Sequence, residues 1–211
     1  MNSDHLGDAF DHWKGAIIQR LLEAKEPLLE DIAVVPMITK KAWGERTRKV
    51  YSGLVCVDKV LRSKKLFQYD KDKGKKEKRE DYFKRIYYGG DLFLDPDTGV
   101  AISKNTYKDE HVSLAEIEIL LDDEHDKRQD RVVMVYQQIR GKPKLHCRVQ
   151  KIFNYPSKKT LGKPLHLTTY DCGSVAKLFF CKDRGRLKDI QKHLKKILGG
   201  DPRNRVQIWP Q

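Results

Sequence analysis

The stretch from residue 91 to residue 137 constrains the fold more than any other. It opens with Asp91-Leu92-Phe93-Leu94-Asp95, an apolar run too short for a helix, which reads as a buried strand. Pro96-Asp97-Thr98-Gly99 then forces a turn, because proline presets φ, Asp side chains bond nearby amides and glycine accepts φ > 0. Residues 112–121 read as a helix, with Ser113 as N-cap and Glu116 three residues on, the pattern of a capping box. Residues 131–137 are the clearest strand in the chain. Strand, turn, helix and strand make a βαβ unit, which favours a parallel pair with a right-handed crossover. The expected fold is therefore α/β: a mostly parallel, Rossmann-like sheet flanked by helices.

The rest of the chain supplies further elements. Phe10, Trp13, Ile17, Leu21 and Leu22 recur at helical spacing over residues 8–24, with Asp4 or Asp8 as cap. Residues 32–38 read as a buried strand ending at Pro36, residues 43–49 are polar and basic, and residues 50–61 fit either strand or helix. In 144–153 apolar and basic residues partly alternate, as in a strand open on one side, and 155–166 read as a loop. Residues 174–181 form an apolar strand. Residues 187–198 form an amphipathic helix, with Leu187, Ile190, Leu194 and Ile197 on one face and basic side chains elsewhere. The tail, apolar at Val206, Ile208 and Trp209, is read as an edge strand. A length of 211 residues suits one domain.

Lys and Arg outnumber Asp and Glu by 43 to 30, a formal net charge of +13. Such a balance points to a polyanionic partner, with DNA or RNA foremost. Much of the charge falls in a basic insertion at 62–88, where Lys64, Lys65, Lys75, Lys76 and Lys78 are candidate phosphate contacts. Arg79, Lys84 and Arg85 extend that set. Phe67, Tyr69, Tyr82, Phe83, Tyr87 and Tyr88 are interleaved with it, either to stack on bases or to anchor the segment to the core. No apolar run approaches the roughly 20 residues that cross a bilayer, and the polar start shows no leader, so a cytoplasmic protein without a membrane partner is expected. A homo-oligomer is left open. Cys56, Cys147, Cys172 and Cys181 form no C-x-x-C pair and are expected to be buried free thiols rather than zinc ligands.

In an open parallel sheet, ligands bind beyond the carboxyl ends of the strands. One strand delivers Asp95, Asp97 and Thr98 to that rim, the next Tyr136, Gln137, Gln138 and Arg140, and the early strand Pro36, Met37, Thr39 and Trp43. Asp91 and Asp95 share a face but stand about 13 Å apart, too far to share an ion. Asp95 and Asp97 can converge across Pro96. They are the expected metal ligands and catalytic carboxylates, with Mg²⁺ as the cation and Arg140 holding phosphate. The same residues are also good turn formers, so a structural role is the competing reading. Glu116 and Glu118 read as helix surface. Trp13 is expected in the core, His12 and Lys14 at the rim or in solvent, and His146 and His166 are candidate acids or bases. No Glu-x-Lys triplet follows Asp97, and Walker, H-E-x-x-H, G-x-S-x-G and G-x-G-x-x-G motifs are absent.

Residues 92–99, the helix after them and Val133-Met134-Val135-Tyr136-Gln137-Gln138 resemble a set of uncharacterised bacterial Rossmann-like proteins with a DPD-N/T-G turn. Phe10-Asp11-His12-Trp13-Lys14-Gly15 resembles their opening helix. Asp95-Pro96 after an apolar strand is also similar to the DPP-Y motif of Rossmann-like amino-methyltransferases, which implies Asp95 as receiver of a target amino group and S-adenosylmethionine as cofactor. Here Asp97 and Thr98 replace the second proline and the aromatic, and the glycine-rich cofactor loop is missing after the first strand. Three readings follow: a metal-dependent nuclease of restriction or defence type, a methyltransferase relative, and a non-catalytic nucleic-acid-binding module working through 62–88.

Overall fold

The computed structural model describes residues 6–39, 42–61, 69–70, 75–76, 79–86, 88–101, 109–122, 130–139, 145–154, 164–197 and 205–209. In chain order the elements are α1 (Ala9–Leu22), β1 (Ala33–Val35), α2 (Glu45–Val55), β2 (Lys59–Val60), β3 (Tyr69–Asp70), β4 (Lys75–Lys76), α3 (Arg79–Lys84), β5 (Leu92–Leu94), β6 (Gly99–Val100) and β7 (His111–Val112). There follow α4 (Leu114–Leu121), β8 (Val133–Gln138), α5 (Leu145–Asn154), β9 (His166–Asp171), β10 (Val175–Cys181), α6 (Arg184–Ile197) and β11 (Arg205–Trp209).

Strand alternation organises the core. Seven strands form one sheet in the order β11-β9-β10-β8-β5-β1-β2. The strands β2, β1, β5 and β8 pair in parallel, and β10, β9 and β11 continue the sheet in antiparallel pairing. Ala33, Val35, Leu92, Leu94, Val133 and Val135 turn to one face, where they meet residues of α3, α4 and α5. Val34, Phe93, Val132, Met134 and Phe179 turn to the other, against α1, α2 and α6. The sheet is thus a mixed, mostly parallel one between two helical layers, an α/β fold. The expected βαβ unit is present: Leu92 pairs with Val133 in parallel, and the capping box of Ser113 and Glu116 starts α4. Asp8 caps α1 through its carboxylate.

Several local expectations change. Residues 145–154 are helix α5, not a strand, because Leu145, Val149 and Ile152 recur at helical spacing and all three are buried. The basic stretch from residue 45 is helix α2, which buries only Tyr51 and Val55. Strand β9 was not expected; its Thr168 and Thr169 are polar yet buried. Of the free cysteines only Cys181 is buried, whereas Cys56 is exposed and Cys147 and Cys172 are intermediate. Trp13 is half-buried and stacks on Tyr170 at 5.6 Å between centroids. In the insertion, Tyr82 and Phe83 are buried against the core, so they anchor the segment rather than offer rings to bases. Phe67 and Tyr87 lie outside the described residues, as does the side chain of Tyr69. Among the described residues, no helix is long and apolar enough to cross a membrane.

Close approach of α1 to α2 depends on Gly15, where a Cβ would collide with the Leu54 carbonyl oxygen. Alanine there gains up to about 1 kcal/mol in helix propensity. The clash is with backbone, however, so α2 must move, and overpacking of this kind costs about 1–3 kcal/mol. Gly15→Ala should therefore lower the urea midpoint, and a midpoint equal to or above that of the parent would show that the helices have room to separate.

Candidate functional site

Among the parallel strands, the strand order reverses between β1 and β5. From β1 the chain moves outward to β2 through α2 on one face, whereas from β5 it moves the opposite way to β8 through α4 on the other. The crevice between the carboxyl ends of β1 and β5 is the topological switch point, the position where such sheets accept ligands. There β1 delivers Pro36, Met37, Ile38 and Thr39, and β5 delivers Asp95, Pro96 and Asp97. Met37 is buried and takes a φ of 45°, a left-handed conformation that costs a non-glycine residue about 1–3 kcal/mol and persists only where packing imposes it. Asp97 is half-buried, and Thr39 Oγ1 donates to its Oδ2 at 2.8 Å, joining the two strand ends.

Asp95 is 1% exposed. Lys14 Nζ from α1 donates to its Oδ2 at 2.9 Å, and Tyr51 OH from α2 donates to the same oxygen at 2.5 Å. Among the described residues, none donates to Oδ1. Lys14 also pairs with Asp11 Oδ1 at 2.9 Å and lies over the Tyr136 ring at 4.3 Å. Burial alone would drive the Lys14 ammonium toward neutrality, but Asp95 and Asp11 outweigh it and hold its pKa above the ordinary lysine value. Burial, followed by the charge of Asp95, pushes Tyr51 well above the usual phenol range, so the phenol stays protonated and donates. Asp95 is thus pinned through one oxygen by two donors from two helices.

A second lysine lies beneath this network. Lys177 on β10 is fully buried, donates to the Lys14 carbonyl at 2.6 Å and lies over the Phe93 and Trp13 rings at 4.7 and 5.8 Å. Burial first, and then the neighbouring Lys14 charge, pushes its pKa well below the ordinary lysine value.

The remaining candidates are spread widely. Gln137 is buried and works structurally: its Oε1 accepts from Val100 N at 2.9 Å, and its Nε2 donates to the Thr98 and Gln138 carbonyls at 3.0 and 2.8 Å. Gly99, at φ 111°, has no room for a Cβ beside that carboxamide. Thr98 Oγ1 donates to the Glu110 carbonyl at 2.9 Å, Gln138 is half-buried and Tyr136 is buried. Asp91 lies at the opposite end of β5, accepting from Glu30 N, Val132 N and Arg186 at 2.7, 2.8 and 2.8 Å. Arg79 pairs with Glu116, which is buried rather than on the helix surface, and donates to the His111 carbonyl. Lys84 is exposed and pairs with Glu80 at 2.7 Å; Arg85 is exposed. His12 is exposed, and burial lowers the pKa of half-buried His166. Arg140, Lys64, Lys65 and Lys78 lie outside the described residues, as do the side chains of His146, Lys75 and Lys76.

Asp11, Tyr51 and Lys177 were missed in the sequence. A lysine at the third position before Ile17 on a buried helical stripe, and another inside the apolar run of β10, are the signals that point to internal partners. Among the described residues no group of three or more His, Cys, Asp or Glu gathers as metal ligands, so Asp95 and Asp97 would leave most of a cation's coordination to water and substrate. Comparison with protein-family models, with curated proteins and with solved structures finds no match.

Removing Lys14 strands Asp11 and Asp95 without their shared cation. Breaking a buried pair in this way costs about 3–5 kcal/mol, so Lys14→Met should lower the stability by that amount, a large fraction of that of an ordinary domain, as read by chemical denaturation. Lys177 behaves oppositely. Its native pKa is depressed, so between that pKa and the ordinary lysine range the unfolded chain holds a proton that the native protein lacks, and stability rises with pH across that window. Lys177→Met should raise stability below the ordinary lysine range and remove a slope of about 1.4 kcal/mol per pH unit just beneath it. Equal slopes for parent and variant over the pH unit or so below about 10 would show that Lys177 keeps its ordinary charge in the fold.

Proposed function

We propose that this protein processes nucleic acid as a divalent-metal-dependent phosphodiesterase, a nuclease whose site is the Rossmann-like switch point between β1 and β5. The observation that carries the reading is the state of Asp95. It is anchored through Oδ2 by Lys14 and Tyr51, and no described residue donates to Oδ1. Asp97 follows two residues later, held by Thr39 across the crevice. Mg²⁺ binds with one or two carboxylates plus waters and phosphate oxygens, a demand that Asp95 and Asp97 suit. Such a cation would neutralise a phosphodiester oxygen and make a water more acidic. Lys14 is a positioning residue: its ammonium fixes the Asp95 rotamer. The net charge of +13 favours a polyanionic substrate.

The resemblance to amino-methyltransferases is served less well. An Asp that receives a target amino group needs a nearby cofactor and no competing cation. Lys14 already supplies an ammonium to Asp95, and buried Met37 and Ile38 follow β1 where such a cofactor needs bare backbone.

The test is incubation with labelled single- and double-stranded DNA and RNA, in Mg²⁺, Mn²⁺ or EDTA. Asp97→Ala and the isosteric Asp95→Asn are run beside the parent. Cation-dependent cleavage that falls about 100-fold or more in both variants is the expected outcome, the scale on which a site loses one electrostatic contact to the reacting group. Binding without cleavage under every metal condition would instead make the protein a binding module.

A further inference from the structure

We infer that the solvent face of α6 is a docking ridge for the phosphate backbone of duplex nucleic acid. This inference rests on the nucleic-acid part of the proposed function and not on its chemistry. Helix α6 buries Leu187, Ile190 and Leu194 against the sheet. That fixes which side faces out. Arg184, Lys188, Lys192 and Lys195 follow at intervals of four, four and three residues, so they form one row along the outward side. All four are exposed, and none pairs with a carboxylate of a described residue. Lys196 flanks the row and is exposed too.

The acidic residues nearby do not cancel this charge. Asp183 accepts from Gly185 N at 2.6 Å and Arg186 N at 3.3 Å, so it is spent as the cap of the helix. Asp189 is the one exposed carboxylate on α6 itself. Arg186 is turned inward to Asp91 and Asp130, at 2.8 and 2.6 Å. The ridge therefore holds five cations against two anions, Asp183 at its end and Asp189.

Helix geometry favours a duplex. The eleven residue steps from Arg184 to Lys195 rise about 17 Å at 1.5 Å each, in a straight, rigid row. A duplex presents one negative charge per about 1.7 Å of axis, so the row runs beside a regular line of phosphates. Single strands are held by aromatic platforms for their bases, and α6 contains no Phe, Tyr or Trp. Lysines in such a row bind as point charges and read no sequence.

The experiment measures affinity for a labelled DNA duplex and for its single strands in EDTA, across a salt series, so that cleavage plays no part. The variant carries Arg184→Glu, Lys188→Glu, Lys192→Glu and Lys195→Glu together. Its fold is checked by circular dichroism and urea midpoint, and a Lys188→Gln/Lys192→Gln variant gives a milder control. The expected result is a loss of duplex affinity of about 100-fold or more in the fourfold variant. The slope of log affinity against log salt should shrink by about 3.6, with about half that change in the double variant. Unchanged duplex binding by a folded fourfold variant overturns the inference, whatever the cleavage assay shows. A parent that binds only single strands, or neither form, overturns it as well. Duplex binding through α6 with no metal-dependent cleavage leaves the ridge standing and removes only the nuclease reading.

Discussion

The site is organised by the buried ion pair between Lys14 and Asp95. Three elements meet there: α1 brings the ammonium, β5 the carboxylate and α2 the Tyr51 hydroxyl. None of the groups is accessible enough for water to replace its partner, so each is held by the others. Taking one lysine and two aspartates out of water carries a desolvation cost of several kcal/mol per ion. A domain of ordinary stability carries that cost only where its geometry returns most of it. Here two ion pairs at 2.9 Å and a phenol donor do so.

The network has a direction. All of it lies on the sheet face carrying α1, α2 and α6, and it terminates at the carboxyl end of β5. Its outer member is Asp95, directly before Pro96 and the turn. On the opposite face Gln137 clamps the 98–100 segment with two hydrogen bonds. The turn after β5 is thus fixed from both sides of the sheet. An acidic turn that served only to reverse the chain would not need a buried lysine drawn from residue 14. This convergence on one strand end is what favours a chemical role for the rim over a merely architectural one.

Much of the fold was legible in residue patterns. The βαβ unit, the Ser113 capping box, the two amphipathic helices at either end and the edge strand at the tail follow from periodicity and turn chemistry. Helix α5 was hidden because Leu145, Cys147 and Val149 also alternate, and only burial of Leu145, Val149 and Ile152 decides for a helical period. Helix α2 was hidden because it buries just two side chains amid charge. The candidate rim was legible as a set of residues but not as a structure. Lys14 and Asp95 are 81 residues apart in sequence, and no local pattern states that they touch. Two lysines in otherwise apolar contexts, Lys14 and Lys177, were the available clue.

The most direct measurement is Mn²⁺ binding to the full chain by electron paramagnetic resonance, with a non-cleavable phosphodiester analogue present to complete the coordination. An Asp95 anchored through Oδ2, with no described residue donating to Oδ1, predicts together with Asp97 one Mn²⁺ bound per chain. It also predicts that Asp97→Ala abolishes this binding while the fold survives. A chain that binds no Mn²⁺ with the analogue present, or binds it equally after Asp97→Ala, would contradict the account and leave the Lys14–Asp95 pair as a purely structural clamp.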